Sequence, residues 1–161
     1  MPHSIHISKD ELVDIALSIF SQHGYKKTTL KDIADAAGIS TAALYRYILD
    51  KQELYDAAAH RGLSRWQRSV FDAVNGGSGT LAKFTILCEK GFSYLATDEE
   101  FRRLLENDPG IFPLFTGDHF VSINNASREM LKSIIKQGIE DGIFREIDLE
   151  ERAGSSSHFI K

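Results

Sequence analysis

Thr29-Leu30-Lys31-Asp32-Ile33-Ala34-Asp35-Ala36-Ala37-Gly38-Ile39-Ser40-Thr41-Ala42-Ala43-Leu44-Tyr45-Arg46-Tyr47 is the stretch on which the fold turns. Thr29, with Asp32 three positions on, is a capping pair that opens a helix. That helix carries Leu30, Ile33, Ala34 and Ala37 on one stripe and runs only about two turns before Gly38 supplies a left-handed residue. Ser40 caps a second short helix, predicted over Thr41 to Tyr47, with Ile39 placed to staple onto Leu44. Two short helices around a glycine turn describe a helix-turn-helix.

The same device flanks the pair on both sides. Ser8 with Glu11, and Ile7 against Leu12, predict a helix from Lys9 to about His23, apolar at Leu12, Ile15, Ala16, Ile19 and Phe20 and ended by Gly24. Asp50 with Glu53, and Leu49 against Leu54, open a long helix to about Val74 through Leu54, Ala58, Leu63, Trp66, Val70 and Val74. Gly76-Gly77-Ser78-Gly79 lacks the Gly-Lys-Ser/Thr ending of a phosphate-binding loop and reads as a connector. Beyond it, Thr80 to Ala96 keeps a helical period, Thr97 with Glu100 caps a helix over Asp98 to Asn107, and Asn107-Asp108-Pro109-Gly110 is a turn. An apolar run, Ile111 to Phe115, leads to a helix from about His119 to Asp141. Asp148 with Glu151 promises one more helix, but Ala153-Gly154-Ser155-Ser156-Ser157 cannot sustain it for long. No long run alternates with period two, so the chain is expected to be all-α. A head of three short helices (residues 1–55) is joined by the long helix to a helical bundle (56–161) that is shortened at its C-terminus.

Bulk composition narrows the function. Residues are 42% hydrophobic and 26% charged, ordinary for a globular protein and unlike a disordered or membrane-spanning chain. One cysteine, Cys88, forms no intrachain bridge, and no export segment is visible, which together point to the cytoplasm. The net charge of −4 does not exclude nucleic acid, because binding depends on where positive charge sits. Between Lys26 and Lys51 five basic residues (Lys26, Lys27, Lys31, Arg46, Lys51) face three acids (Asp32, Asp35, Asp50). No His-Glu-x-x-His, nucleophile elbow, nucleotide loop or Cys/His cluster is present, so neither catalysis nor a cofactor is expected. His3 and His6 lack a third ligand and are not read as a metal site.

Readout chemistry accounts for the residue choice in the third helix. About seven residues make a rod roughly 10 Å long, whose leading half enters a major groove about 12 Å wide only if its side chains are small. Thr41, Ala42 and Ala43 meet that condition, and their methyls suit thymine methyls. Arg46, the one long cationic donor of this helix, suits a bidentate guanine contact, while Tyr45 and Tyr47 suit the groove walls. The helix N-termini at Thr29, Ser40 and Asp50 offer free N–H groups to phosphate, and Lys51 adds a charge. Lys26 and Lys27 read as a solvated turn.

From Leu12 to Leu54, the positions Ala16, Phe20, Gly24-Tyr25, Thr29, Ile33-Ala34, Ala37-Gly38-Ile39-Ser40, Leu44-Tyr45, Tyr47 and Lys51 resemble the DNA-binding domain of the TetR family of regulators, over about the first third of the chain. The resemblance implies a homodimer of helical subunits that binds an operator in double-stranded DNA, usually as a repressor. It also implies an effector pocket whose occupancy moves the two heads apart. Ala42 or Ala43 stands where the family often has glycine, and Ile48 where it usually has phenylalanine. The family usually dimerises through two C-terminal helices, and the pattern leads one to expect only the start of the first of them in this sequence. The expected pocket is lined from Trp66, Phe84, Cys88, Phe92, Phe101, Phe112, Phe115 and Phe120, for an apolar or aromatic small molecule, although aromatics at this spacing are usually plain core and Cys88 reads as core. Gly91 marks either close packing or room for a ligand. The alternative reading is a helical protein-interaction module that no longer reads DNA because its pairing region is incomplete.

Overall fold

A computed structural model describes residues 7–108 and 121–145 and contains seven helices and no strand among them. These are α1 (Lys9–Lys27), α2 (Leu30–Ala36), α3 (Thr41–Leu44), α4 (Lys51–Asn75), α5 (Thr80–Thr97), α6 (Glu99–Asn107) and α7 (Val121–Glu140). His3, His6, Phe112, Phe115, Phe120, the start expected near His119 and the helix expected after Asp148 lie outside the described residues.

Local signals set most of the boundaries. Ser8 and Glu11 close a full capping box on α1, and Thr29 and Asp32 close another on α2. In α1, Gly24 at φ 74° breaks the rod where a glycine was expected to end it, and one further turn, Tyr25 to Lys27, follows the kink. α2 ends in a Schellman motif around Gly38 (φ 67°), with Ile39 N–H donating to Ala34 O at 3.0 Å and Gly38 N–H to Asp35 O at 3.1 Å. α7 closes in the same way, with Gly142 at φ 71° and Ile143 N–H on Gly138 O at 2.8 Å.

Three expectations are corrected. Asp98, not Thr97, caps α6: its carboxylate accepts from Phe101 N–H at 2.9 Å, while the Thr97 hydroxyl donates back to Tyr94 O at 3.0 Å. At α4 the Asp50 cap forms, but Glu53 reaches past it to accept from Leu49 N–H at 2.6 Å. Held that way, Leu49 is 85% exposed and makes no staple onto the buried Leu54. Cys88 is exposed, because the inner face of α5 is supplied by Phe84, Leu87, Tyr94 and Leu95.

One hydrophobic core runs from Ile7 to Ile134. α1 packs against both α4 and α6, and α4 lies against α5. Leu54, Ala58, Leu63, Trp66, Val70 and Val74 form the buried stripe of α4 that the spacing predicts. Phe101 and Leu104 of α6, both fully buried, insert between α1 and α4, leaving Arg102, Arg103 and Glu106 outside.

Candidate nucleic-acid interface

The third helix stands on two buried anchors. Leu44 and Ile48 are sunk in the core, Tyr45 and Arg46 between them are turned out, and Tyr47 packs partly against the core. Ser40 Oγ accepts from Ala43 N–H at 3.1 Å and so starts the helix at Thr41. Regular hydrogen bonding then lasts only to Tyr45 N–H on Thr41 O at 3.3 Å, after which Arg46 and Tyr47 bond back three residues, to Ala43 O and Leu44 O. The rod is therefore shorter than the seven residues expected, since a tightened last turn satisfies the final carbonyls before the chain swings towards Asp50.

The predicted contact residues share this end of the molecule. Ala42 and Arg46 are exposed, Tyr45 is 54% exposed, and Thr41, Ala43 and Tyr47 are half-buried. Arg46 makes no ion pair with any described residue, so its guanidinium is open to a ligand. Ser40 and Thr29 are exposed at the heads of α3 and α2. Thr29 is already engaged by Asp32, whose carboxylate accepts from the Thr29 hydroxyl at 2.7 Å and its N–H at 2.8 Å. Those two bonds, hydroxyl first, hold the Asp32 carboxyl below its ordinary range. Lys31 is paired with Asp35 on the outer surface, whose hydrogen bond and charge raise the Lys31 pKa. Lys26 and Lys27 are exposed, as a solvated turn requires.

Lys51 is placed differently from a free surface charge. Its ammonium donates to Thr28 O at 2.8 Å and lies 4.2 Å from the centre of the Tyr25 ring. The capping pattern gave no hint of either contact, because both partners lie more than twenty residues away in sequence. Tyr25 beside Gly24 was the available signal: an aromatic at a helix kink. Two further ties hold α4 to α1, Arg61 on Asp10 and Asp14, and Lys9 on Glu53 at 3.2 Å.

The residues expected to line an effector pocket divide between inside and outside. Phe101 is fully buried against α4, and Trp66 is buried with its indole N–H donating to Gly91 O at 3.0 Å. A β-carbon at Gly91 would meet nothing within 4 Å, so close packing does not require that glycine. Phe84 stacks edgewise on Phe144 at 5.3 Å. Cys88 and the 69%-exposed Phe92 point outward. An open groove of about 590 Å³ lies at the start of α5, between Leu81, Thr85, Ile86 and Ile143; its described lining includes none of those five residues. No described helix is long and apolar enough to cross a membrane, and the described residues contain no cluster able to hold a metal ion.

Residues 8–58 match the model of the tetR family of bacterial regulatory proteins. The chain is 30% identical over 146 residues to the HTH-type transcriptional repressor KstR2 of Rhodococcus jostii, an alignment spanning 88% of this chain and 71% of that protein. Among solved structures it resembles the ketosteroid transcriptional regulator KstR2 of Mycobacterium tuberculosis (TM-score 0.62, 26% identity, 90% of this chain and 75% of that one). It shares its fold with the regulator FadR of Bacillus subtilis, solved with stearoyl-CoA (TM-score 0.68, 18% identity, 89% of this chain and 77% of that one). An exposed short helix led by small side chains, carried on a fully helical scaffold, is thus matched by relatives that are regulators, and the chain belongs to the TetR family of helix-turn-helix transcriptional regulators.

Proposed function

We propose that this protein represses transcription by binding a palindromic operator as a homodimer, and that an apolar small molecule held by the helices beyond the head releases it. The observation that carries the reading is the short helix pinned to the core by Leu44 and Ile48, with Ala42, Tyr45 and Arg46 exposed and Thr41 and Ala43 half-exposed beside them. In it Thr41, Ala42 and Ala43 read base edges and thymine methyls, Arg46 takes a guanine, and Tyr45 and Tyr47 touch the backbone. Thr29, Ser40 and Lys51 position the head on phosphate. A β-carbon at Ala42 sets the distance of closest approach. One head buries only about 600–1,000 Å² on DNA and binds weakly, which favours two heads on two half-sites.

Residues 1–55 act as the reading unit and 56–161 as the sensing and pairing unit, working in the cytosol beside the DNA. The outward Leu81 and Phe92 of α5 favour an apolar ligand surface, on the outer side of a bundle whose interior is filled by Trp66, Phe84 and Phe101. An acyl thioester is the class to test first, since FadR, of the same fold, holds stearoyl-CoA.

Selection of bound sequences from a random duplex pool tests the reading. Enrichment of symmetric sites with half-sites roughly 34–36 Å apart is expected, and a pool with no enrichment sinks it. On the selected site, Arg46→Ala should cost about 1–3 kcal/mol and relax preference at one base position. Lys51→Ala should weaken all sequences alike and flatten the salt slope by about one unit. Equal losses from both variants on scrambled DNA would leave a non-specific binder.

A further inference from the structure

The C-terminal end of α6 is fastened to the reading head by side-chain hydrogen bonds away from the third helix. Asn107 Nδ2 donates to Ser21 O of α1 at 2.9 Å and to Arg103 O of its own helix at 3.0 Å. Its Oδ1 would lie 3.2 Å from a β-carbon at Gly24, the kink of α1. The next residue, Asp108, accepts from the Tyr55 hydroxyl of α4 at 2.8 Å. Burial, and then this carboxylate, push the Tyr55 pKa up, so the hydroxyl keeps its proton and remains the donor.

From Tyr55 the contacts continue without a gap. Its ring meets Phe20 edge-on at 5.0 Å and Tyr25 at 4.9 Å. Tyr25 lies under the Lys51 ammonium, which donates to Thr28 O, one residue before the cap of α2. A path of direct contacts therefore joins the end of α6 to the entry of α2 and the first turn of α4. Retention of α6 in the bundle does not depend on these polar groups, since Phe101 and Leu104 already bury it.

We propose that Asp108 and Tyr55 are positioning residues for DNA binding: their hydrogen bond, steadied by the bond from Asn107 to Ser21 of α1, fixes Tyr25 and through it the place of the Lys51 charge. The inference rests on the DNA-binding reading above, and its test separates the two. Physical coupling, and not mere adjacency, is what has to be measured.

Tyr55→Phe deletes only the hydroxyl and keeps the ring, and Asp108→Ala deletes the acceptor. On the selected operator each variant should bind about three- to tenfold more weakly, and the double variant no more weakly than the worse single. Both should also lower the slope of log affinity against log salt, which a loss of stability alone leaves unchanged. Multiplying effects in the double variant, or an unmoved salt slope, overturn the proposal. Hydrogen exchange on the full chain decides the same point without DNA. Tyr55→Phe should speed amide exchange in peptides covering Gly24 to Thr29, and unchanged exchange there overturns the positioning role whether or not any duplex binds. A wild-type chain that enriches no duplex removes the functional reading alone.

Discussion

At Gly62 the backbone of α4 meets the Phe101 ring so closely that an added β-carbon would stand 2.8 Å from Phe101 Cδ2. The ring is fully buried, so Gly62→Ala forces a shift of ring or backbone costing about 1–3 kcal/mol. Against that, alanine gains about 1 kcal/mol of helix propensity over glycine. Overpacking outweighs propensity, and a net loss of up to about 2 kcal/mol is expected in the unfolding free energy measured with urea. Phe101→Leu in the same background should recover part of it, a coupling that two independent sites do not show. No neighbouring residue in the sequence reveals this contact, because Phe101 arrives from 39 positions away. The third helix shows the opposite case: its Ser40 cap and its buried Leu44 were legible within a few residues, while the contact roles of Thr41, Ala42 and Arg46 belong to the proposal.

Within single elements, cap chemistry decides the boundaries and makes two predictions. Asp98 caps α6 and also accepts from the Tyr94 hydroxyl at 2.7 Å. Burial, followed by that contact, pushes the Tyr94 pKa up to about 12. Asp98→Ala should therefore cost about 1–2 kcal/mol in urea unfolding, whereas Thr97→Ala should stay within about 0.5 kcal/mol of wild type. Acid behaviour follows from the carboxylates of the head. Glu11, Asp32 and Glu53 are all held below their ordinary pKa values, by Ser8, by Thr29 and by the Leu49 N–H respectively as the leading causes. A carboxylate depressed in the folded state contributes stability that is present above its unfolded pKa and lost as pH falls through its folded one. Melting temperature should thus hold from pH 7 to about 5 and decline below about pH 4, and Asp32→Asn should make that decline shallower. The cap residues at Ser8, Thr29, Ser40 and Asp50 were readable because a cap is settled within four residues. Thr97 was mistaken for Asp98 because both residue types cap, and only the fold shows which carboxylate or hydroxyl meets Phe101 N–H. Leu49 was lost as a staple for a similar reason, since Glu53 had a choice between two backbone donors.

Across the whole molecule, the head and the longer helices share one core, with α1 gripped by both α4 and α6. That arrangement is absent from periodicity, which assigns each helix a buried face but not the helix that covers it. Its consequence is that α6 and the head share contacts through α1, so coupling between them can be measured directly. An effector that releases DNA must bind the DNA-incompetent arrangement better than the competent one, and the difference is all it can spend on release. If saturating effector weakens operator affinity by some factor, saturating operator must weaken effector affinity by the same factor, typically about 5- to 150-fold in such systems. Acyl-CoA thioesters of graded chain length, titrated by calorimetry against the free protein and against the operator complex, measure both sides. Matching factors are expected for the ligand that acts. A compound that binds both forms equally is not an effector however tightly it binds, and a series in which none discriminates would leave a protein that holds its operator constitutively.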